Sequence, residues 1–173
     1  MAIELKEINP FIKKELKQFI QFPFDLYKND PYWVPSLWID EYDLFSPVHN
    51  PVLKHCELKL FLAFDHGIVK GRIAGIINRR ENQLYGKSKA RFGWYDVVDD
   101  IQVTKLLLSS IESWAQSFSM NEIEGPMSFT NLDKAGLLIE VKKGPCIINK
   151  CRAVYLTTNP ILFPLQSTPK LPI

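Results

Sequence analysis

The clearest alternation of apolar and polar positions lies near the middle of the chain. Leu58, Leu60, Leu62 and Phe64 recur with period two, which predicts a β-strand with one buried face. The residues 65–67, Asp-His-Gly, are typical of a tight turn. The returning strand of a hairpin is predicted from the apolar residues Ile68, Val69, Ile73, Ile76 and Ile77. Glycine at 71 and 75 inside that strand predicts a bulge or a close approach of another element.

Two segments have the period of an amphipathic helix. In the first, apolar side chains recur at Ile12, Leu16, Phe19 and Ile20, and Asn9-Pro10 predicts the helix start, whereas Pro23 predicts its end or a kink. The second is longer and follows Asp99 and Asp100, either of which can cap it; its apolar positions are Val103, Leu107, Ile111, Trp114 and Phe118.

The remaining elements complete an alternating order. We predict a strand near residues 3–8, a helix over 36–45, a polar and basic loop over 78–89, and strands over 91–98 and 121–124. The order is β-α-α-β-β-β-α-β. Because the last strand follows a helical crossover, it should run parallel to the strand before the helix, which gives an α/β fold with a mixed, partly parallel sheet flanked by helices.

Aromatic residues and prolines crowd the segment between the first two helices. This segment predicts either a packed loop that buries its rings on the sheet or an aromatic cleft for a substrate or partner. The aromatic residues are Phe22, Phe24, Tyr27, Tyr32 and Trp33.

The composition breaks after Glu140. All 19 acidic residues lie in residues 1–140, whereas residues 141–173 contain five of the 21 basic residues and five of the 12 prolines. The part before the break therefore has a net charge of −3 and the tail has +5. We predict one domain over 1–140 and an atypical basic, Pro-rich tail over 141–173, which is either an out-of-frame or truncated end or a genuine extension.

Composition also narrows the classes of partner. A mildly acidic body argues against nucleic acid as the main partner. No apolar run is long enough for a membrane span, and the first residues lack a signal-peptide pattern. Cys56 is the only cysteine of the body, which favours a reducing compartment, and we expect a cytoplasmic protein without a metal site.

Few residues suggest chemistry by themselves. The residues 98–101, Val-Asp-Asp-Ile, precede the long helix, and their two carboxylates would repel a phosphate at its N-terminus. Four arginines bracket the hairpin and its loop (Arg72, Arg79, Arg80 and Arg91); they are either solvated or an anion contact. Tyr95 is either a sheet aromatic or a general acid at a strand end.

The hairpin sequence over residues 61–74 resembles the second and third strands of the GNAT acyltransferase superfamily. A closer resemblance, over about residues 2–140, is to a bacterial group of GNAT-like proteins that carry a second GNAT-like half. Its motifs occur in order at residues 22–27, 30–35, 78–82, 92–94, 99–100, 125–131 and 136–140.

The resemblance implies a fold and an activity. GNAT enzymes transfer an acyl group from coenzyme A, here acetyl-CoA or another acyl-CoA, to an amine. Backbone amides of the strand over 92–97 would then polarise the thioester, with Trp94, Tyr95 and Val97 as coenzyme contacts and Tyr95 and Asn131 as acceptor-side catalytic residues. The partners would be a small-molecule acceptor and the second half.

Two departures from the family pattern leave alternatives open. Residues 98–104 contain no glycine, so the superfamily's pyrophosphate signature is missing, and the family pattern also stops near residue 140. This half is therefore either an incomplete acyltransferase or a non-catalytic scaffold or substrate-binding domain for the second half. A lipid or fatty-acyl site in the apolar loop is a third possibility.

Overall fold

The structure of the protein is a computed structural model. It describes residues 3–130 in full, and the backbone alone over residues 137–141, 151–154 and 156–158. Among these residues, no helix combines the length and the hydropathy needed to cross a membrane.

A six-stranded mixed sheet forms the centre, with the strand order β1-β2-β3-β4-β5-β8. All neighbouring pairs are antiparallel except β4 and β5, which are parallel as expected. A separate antiparallel pair joins β6 to β7. The strands are β1 (Glu4–Ile8), β2 (Cys56–Asp65), β3 (Ile68–Asn78), β4 (Lys89–Val97), β5 (Glu122–Gly125), β6 (Leu137–Val141), β7 (Cys151–Val154) and β8 (Leu156–Thr158).

Helices cover both faces of the sheet. On one face α4 buries Leu107, Ile111 and Trp114 against β2, β3 and β4. On the other face α1 buries Leu16, Phe19 and other residues in a second core. The helices are α1 (Lys13–Leu26), α2 (Trp38–Leu44), α3 (Arg79–Tyr85) and α4 (Ile101–Ser117), with a 3-10 turn at Pro51–Lys54.

The predicted hairpin and long helix are confirmed. Gly71 and Gly75 lie where α4 approaches the sheet closely: a Cβ built on Gly71 would lie 2.7 Å from Leu107 Cδ1, and one on Gly75 would lie 2.5 Å from the Trp114 ring. Glycine at these two strand positions therefore lets a helix with large side chains lie directly on β3.

The predicted start of the first helix and the predicted loop over 78–89 were wrong, and Pro23 does not end the first helix. The first helix begins at Lys13, not at Pro10, because the Asn9 side chain accepts a hydrogen bond from the Phe11 backbone amide and holds a separate turn there. Pro23 lies inside α1, which continues to Leu26. The predicted loop over 78–89 contains α3, which is capped by the Asn78 side chain at its start and by the left-handed Gly86 at its end.

The tail contributes a strand to the sheet in this structure, because β8 pairs with the outer edge of β5. The division of the chain at residue 140 into a domain and a tail stays a prediction.

The chain crosses the sheet directly after β5. The backbone amide of Met127 donates to the carbonyl oxygen of Phe92 (2.7 Å), and a Cβ built on Gly93 would lie 2.3 Å from the Met127 carbonyl oxygen. Residues 126–129 therefore pass against β4 at Gly93, and Phe129 reaches the core on the α1 side, against Phe45 and Trp94.

Replacement of Gly93 tests this crossing. Gly93→Ala places a methyl group within the contact distance of a backbone oxygen, so β4 or residues 126–129 must shift, and we expect a loss of about 1–3 kcal/mol in unfolding free energy. The loss in unfolding free energy is measured by denaturant unfolding, monitored by tryptophan fluorescence.

The control is Gly86→Asn. Gly86 has φ +60° and open space around its Cα, and asparagine tolerates this conformation. We expect it to cost less than about 1 kcal/mol. Equal losses for the two variants would contradict the close crossing at Gly93.

Candidate functional site

A β-bulge in β4 shapes the candidate site. Ala74 of β3 pairs with Gly93 and Arg72 pairs with Asp96, so two residues of β4, Trp94 and Tyr95, lie opposite one residue of β3. Trp94 has φ +46°, a left-handed conformation that is strained for a bulky residue. The bulge directs the two neighbouring side chains to opposite faces of the sheet, Trp94 toward α1 and Tyr95 toward α4.

β4 and β5 separate at the level of the bulge. Within the described residues their parallel pairing covers only three residue pairs and ends at Arg91 and Glu124. Beyond that point the backbone amide of Met127 donates a hydrogen bond to the carbonyl oxygen of Phe92. Residues 94–97 form the part of β4 that extends past this crossing. Where two parallel strands separate, their unpaired backbone groups can contact a ligand. Here the hydrogen bond from Met127 to Phe92 closes the inner end of this opening.

The indole of Trp94 is part of the protein core. Its Nε1–H donates to Glu41 Oε2 (2.8 Å), and its ring packs on Phe45 (4.9 Å between centroids) and Phe129 (5.5 Å). The Glu41 side chain is itself buried. Trp94 therefore fixes α2 and the crossing segment to the bulge, whereas its predicted coenzyme contact stays a prediction.

The other predicted site residues lie apart from Trp94. The Tyr95 hydroxyl donates to Thr104 Oγ1 of α4 (3.2 Å), and burial raises the pKa of Tyr95. Val97 packs among the partly buried residues on the same α4 side. Asn131 lies outside the described residues. The structure thus brings Tyr95 and Val97 to one face and places the Trp94 side chain on the other.

A buried charge network connects the far end of β4 to α1. Arg72, 5% exposed, donates from Nε to Asp96 Oδ2 (2.7 Å) and from Nη1 to the Phe19 carbonyl (3.0 Å). The Tyr27 hydroxyl donates to the other oxygen of Asp96 (3.0 Å), and Tyr27 packs on Trp33 (5.4 Å). Burial first, and the Asp96 charge second, raise the pKa of Tyr27.

This network was missed from the sequence. Of the two alternatives left open for the four arginines, the solvated one is wrong for Arg72 and Arg91, which are both buried, whereas Arg79 is exposed. A usable signal was Arg72 itself, which is the only polar residue between positions 71 and 77, because a buried guanidinium requires a carboxylate partner. Its partner is 24 residues away, and no local pattern identifies it.

Arg91 belongs to a second network that is balanced in charge. Its Nη2 donates to Glu81 Oε1 (2.6 Å) and its Nη1 to the Phe129 carbonyl (3.2 Å). Lys89 pairs with Glu124 (2.6 Å), so two basic and two acidic side chains compensate one another. Since Arg72 is likewise neutralised by Asp96, neither buried guanidinium is free to bind an anionic ligand.

The N-terminus of α4 is occupied by the protein's own carboxylate. Asp100 is the N-cap, and its Oδ1 accepts from the Gln102 amide (2.8 Å). This confirms the predicted cap. One of the free amides that would attract a phosphate is therefore used, and Asp99 and Asp100 add negative charge at the same place.

Within the described part of the chain, no group of three or more histidine, cysteine, aspartate or glutamate side chains is arranged to hold a metal ion.

Comparisons with known proteins identify the fold. No protein-family model matches the chain. A tandem GNAT protein from the clavulanic acid biosynthesis pathway, solved without AcCoA, superposes with a TM-score of 0.59 at 12% identity and covers 84% of this chain and 40% of its own. An N-acetyltransferase from Staphylococcus aureus Mu50 gives a TM-score of 0.51 at 12% identity and covers 72% of each chain. The chain therefore has the GNAT fold, as its resemblance implied.

Two curated relatives are similar in sequence. Protein YghO of Escherichia coli K12 is 38% identical over 128 residues, which cover 74% of this chain and 33% of that protein. A bacterial ceramide synthase of Caulobacter vibrioides is 32% identical over 126 residues, covering 72% of this chain and 33% of that enzyme. The chain spans about a third of the length of the curated relatives it matches.

The cap of α4 gives a stability prediction. Asp100→Ala leaves the Gln102 amide without its acceptor and should lower the unfolding free energy by about 1 kcal/mol, whereas Asp100→Asn, a comparable cap, should nearly preserve it. Chemical denaturation measures both. Asp99→Ala, at an exposed residue outside the cap, is the matched control, and an equal loss there would contradict the assigned cap.

The Tyr27 network gives a pH prediction. Because the folded state raises the Tyr27 pKa above its ordinary value near 10, the stability from its neutral phenol is complete below about pH 10 and is lost as the pH rises further. Tyr27→Phe should lower stability by about 1–3 kcal/mol at neutral pH, since Asp96 loses a donor, and should flatten the alkaline decline.

The alkaline decline is measured by denaturant unfolding at a series of pH values from neutral to strongly alkaline. Tyr85→Phe is the control, because Tyr85 is 67% exposed. If Tyr85→Phe flattened the alkaline decline in unfolding free energy as much as Tyr27→Phe does, the decline would not come from the contact between Tyr27 and Asp96.

Proposed function

We propose that this chain is the coenzyme-free GNAT-fold part of a longer acyl-CoA-dependent N-acyltransferase, in which it acts as a scaffold and substrate-side domain for a second GNAT-like half. The observation that carries this proposal is the N-terminus of α4, where Asp100 occupies the position that a coenzyme pyrophosphate would need.

The residues present do not fit coenzyme A. The connection from β4 to α4 has no glycine to let the backbone approach a phosphate, and it carries Asp99 and Asp100. The base of the opening between β4 and β5, where a pantetheine arm would lie along β4, is closed by the hydrogen bond from Met127 to Phe92. Both features argue that the coenzyme is bound elsewhere in the whole protein.

A second half is supported by the comparisons. The chain corresponds to 40% of a tandem GNAT protein and to a third of each curated relative. If the whole protein has two GNAT-like halves, the half described here can keep the fold while it loses the coenzyme site. Its bulge, with Trp94 tied to Glu41 and Phe129, then serves to hold α2 and β4 in fixed positions.

The relatives also suggest a substrate class. One relative is named a ceramide synthase, and a ceramide is the fatty amide of a long-chain amino alcohol. We therefore extend the proposal to a lipid amine as acceptor for the whole protein. The aromatic group of Phe24, Tyr27 and Trp33, beside Asp96, is an apolar surface of the kind such a substrate requires.

A coenzyme-binding test separates a non-catalytic half from an active one. A ligand that binds the native state raises its stability by mass action, about 2.7 kcal/mol at a hundred times the dissociation constant. We expect acetyl-CoA and octanoyl-CoA, titrated to millimolar concentration, to leave the Tm of this chain unchanged. A single-domain GNAT acetyltransferase with an intact coenzyme site, run in parallel, must show the rise.

A saturable rise in Tm for this chain would overturn the coenzyme-free assignment. Tyr95 and Asn131 would then be the first residues to replace, since both were predicted as catalytic. Isothermal titration of the chain with acetyl-CoA would confirm the stoichiometry of such binding.

A further inference from the structure

A groove with basic walls and an apolar floor lies between α1 and the start of β3. Its floor consists of Phe22, Leu26, Val69 and Val98, and its rim carries Lys14, Lys17 and Lys70 with a single acid, Asp25. We call this feature the α1 groove. It has no counterpart among the residues that the GNAT resemblance assigned a role.

The basic side chains of the α1 groove are not used by the fold. None of the ion pairs formed among the described residues includes Lys14, Lys17 or Lys70. The one acid of the rim, Asp25, accepts a hydrogen bond from Gln21 (3.2 Å). The groove is thus a surface of net positive charge on a body, residues 1–140, whose net charge is negative.

Apolar side chains are exposed beside these charges. Ile68, at the tip of the β2–β3 hairpin, lines the groove and is 62% exposed. At the other end of α1, Phe11 and Ile12 are 73% and 47% exposed and directly precede Lys13. Lysines of a helix that lie near exposed apolar residues of neighbouring elements provide both contacts that a bilayer surface offers, since the lysines can meet anionic headgroups and the apolar side chains can enter the boundary.

We infer that the α1 groove docks on a lipid bilayer that contains anionic lipids. Charge complementarity selects this occupant, because the lysines without an ion pair attract anionic headgroups, and the exposed Ile68 can enter the apolar boundary beside them. A nucleic acid would satisfy the charge but would leave the apolar floor unused. The inference extends the proposed function, whose lipid acceptor is a membrane component.

A second exposed apolar surface has the opposite charge. It spans the α1–α2 loop and the first turn of α2, where Val34, Leu37 and Ile39 are 85%, 68% and 59% exposed and are flanked by the acids Asp30 and Asp40. An anionic bilayer would be repelled there. The two surfaces therefore predict different behaviour toward the same vesicles, which makes the loop an internal control.

The position of the α1 groove connects docking to the candidate site. Val98, which lines the groove, follows the last residue of β4, and its backbone amide donates to the Lys70 carbonyl (2.9 Å). Asp96, two residues earlier, holds Tyr27 directly after α1. A bilayer that covers the groove would thus lie next to the end of β4 and the aromatic group around Tyr27.

Vesicle flotation with the full chain tests the inference. We expect binding to phosphatidylcholine vesicles that contain one third phosphatidylglycerol, little binding to pure phosphatidylcholine, and release at high salt, because salt screens exposed charges. The variant Lys14→Gln/Lys17→Gln/Lys70→Gln should weaken binding on the order of a hundredfold, since each lysine near an anionic surface contributes about fivefold. Ile68→Ser should weaken it further.

Two control variants remove similar numbers of charges or apolar side chains from positions outside the α1 groove. Lys142→Gln/Lys143→Gln/Lys150→Gln removes the same number of charges from the tail, and Val34→Ser/Leu37→Ser removes exposed apolar side chains from the α1–α2 loop. Both should retain binding. Circular dichroism of each variant checks that the fold is kept.

Three results would overturn the inference: no binding to the anionic vesicles, binding unaffected by the groove variant, or an equal loss in either control. The outcome is separate from that of the proposed function, because vesicle binding requires no coenzyme. A rise in Tm with acetyl-CoA would contradict the proposal that this chain binds no coenzyme, but it would not change the interpretation of vesicle binding.

Discussion

The course of β4 depends on one backbone contact, the passage of residues 126–129 against Gly93. A side chain at this position would occupy the space of the Met127 carbonyl, so the crossing requires glycine. Because the chain crosses here, β5 does not accompany β4 beyond Arg91, and Phe129 enters the core where Trp94 and Phe45 receive it. The bulge, the end of the parallel pairing and the aromatic layer all adjoin this one close approach.

The buried charges are arranged to hold elements together. The Arg72 guanidinium contacts α1 through the Phe19 carbonyl and β4 through Asp96, and it lies 5.1 Å from the Phe19 ring. Removal of one partner from such a pair is costly because the other charge stays buried. Charged groups that are compensated in this way hold α1, β3 and β4 in fixed positions and leave little free charge for a ligand.

The sequence predicted what local patterns determine. The hairpin and α4 were found because period two and period 3.6 are visible in a single segment, and the parallel β4–β5 pair followed from the crossover between them. The start of α1 and the helix α3 were missed, since Asn9 and Asn78 can each end a turn or cap a helix. The charge pairs and the crossing at Gly93 join residues distant in sequence, and periodicity carries no information about them.

In the proposed function this chain lacks a coenzyme site, but such a half is not dispensable when the substrates are lipids. A long-chain amine and an acyl chain partition into a bilayer, so an acyltransferase that remains in solution meets few of them. A domain that holds the protein at the surface raises the effective concentration of these substrates without any contact to the reacting atoms. The α1 groove provides the charge for such attachment beside the end of β4, and the apolar surface of Val34, Leu37 and Ile39, flanked by Asp30 and Asp40, lies outside it. If the α1 groove docks on a bilayer as we infer, the opposite charges of these two apolar surfaces decide which face of the protein turns toward the membrane.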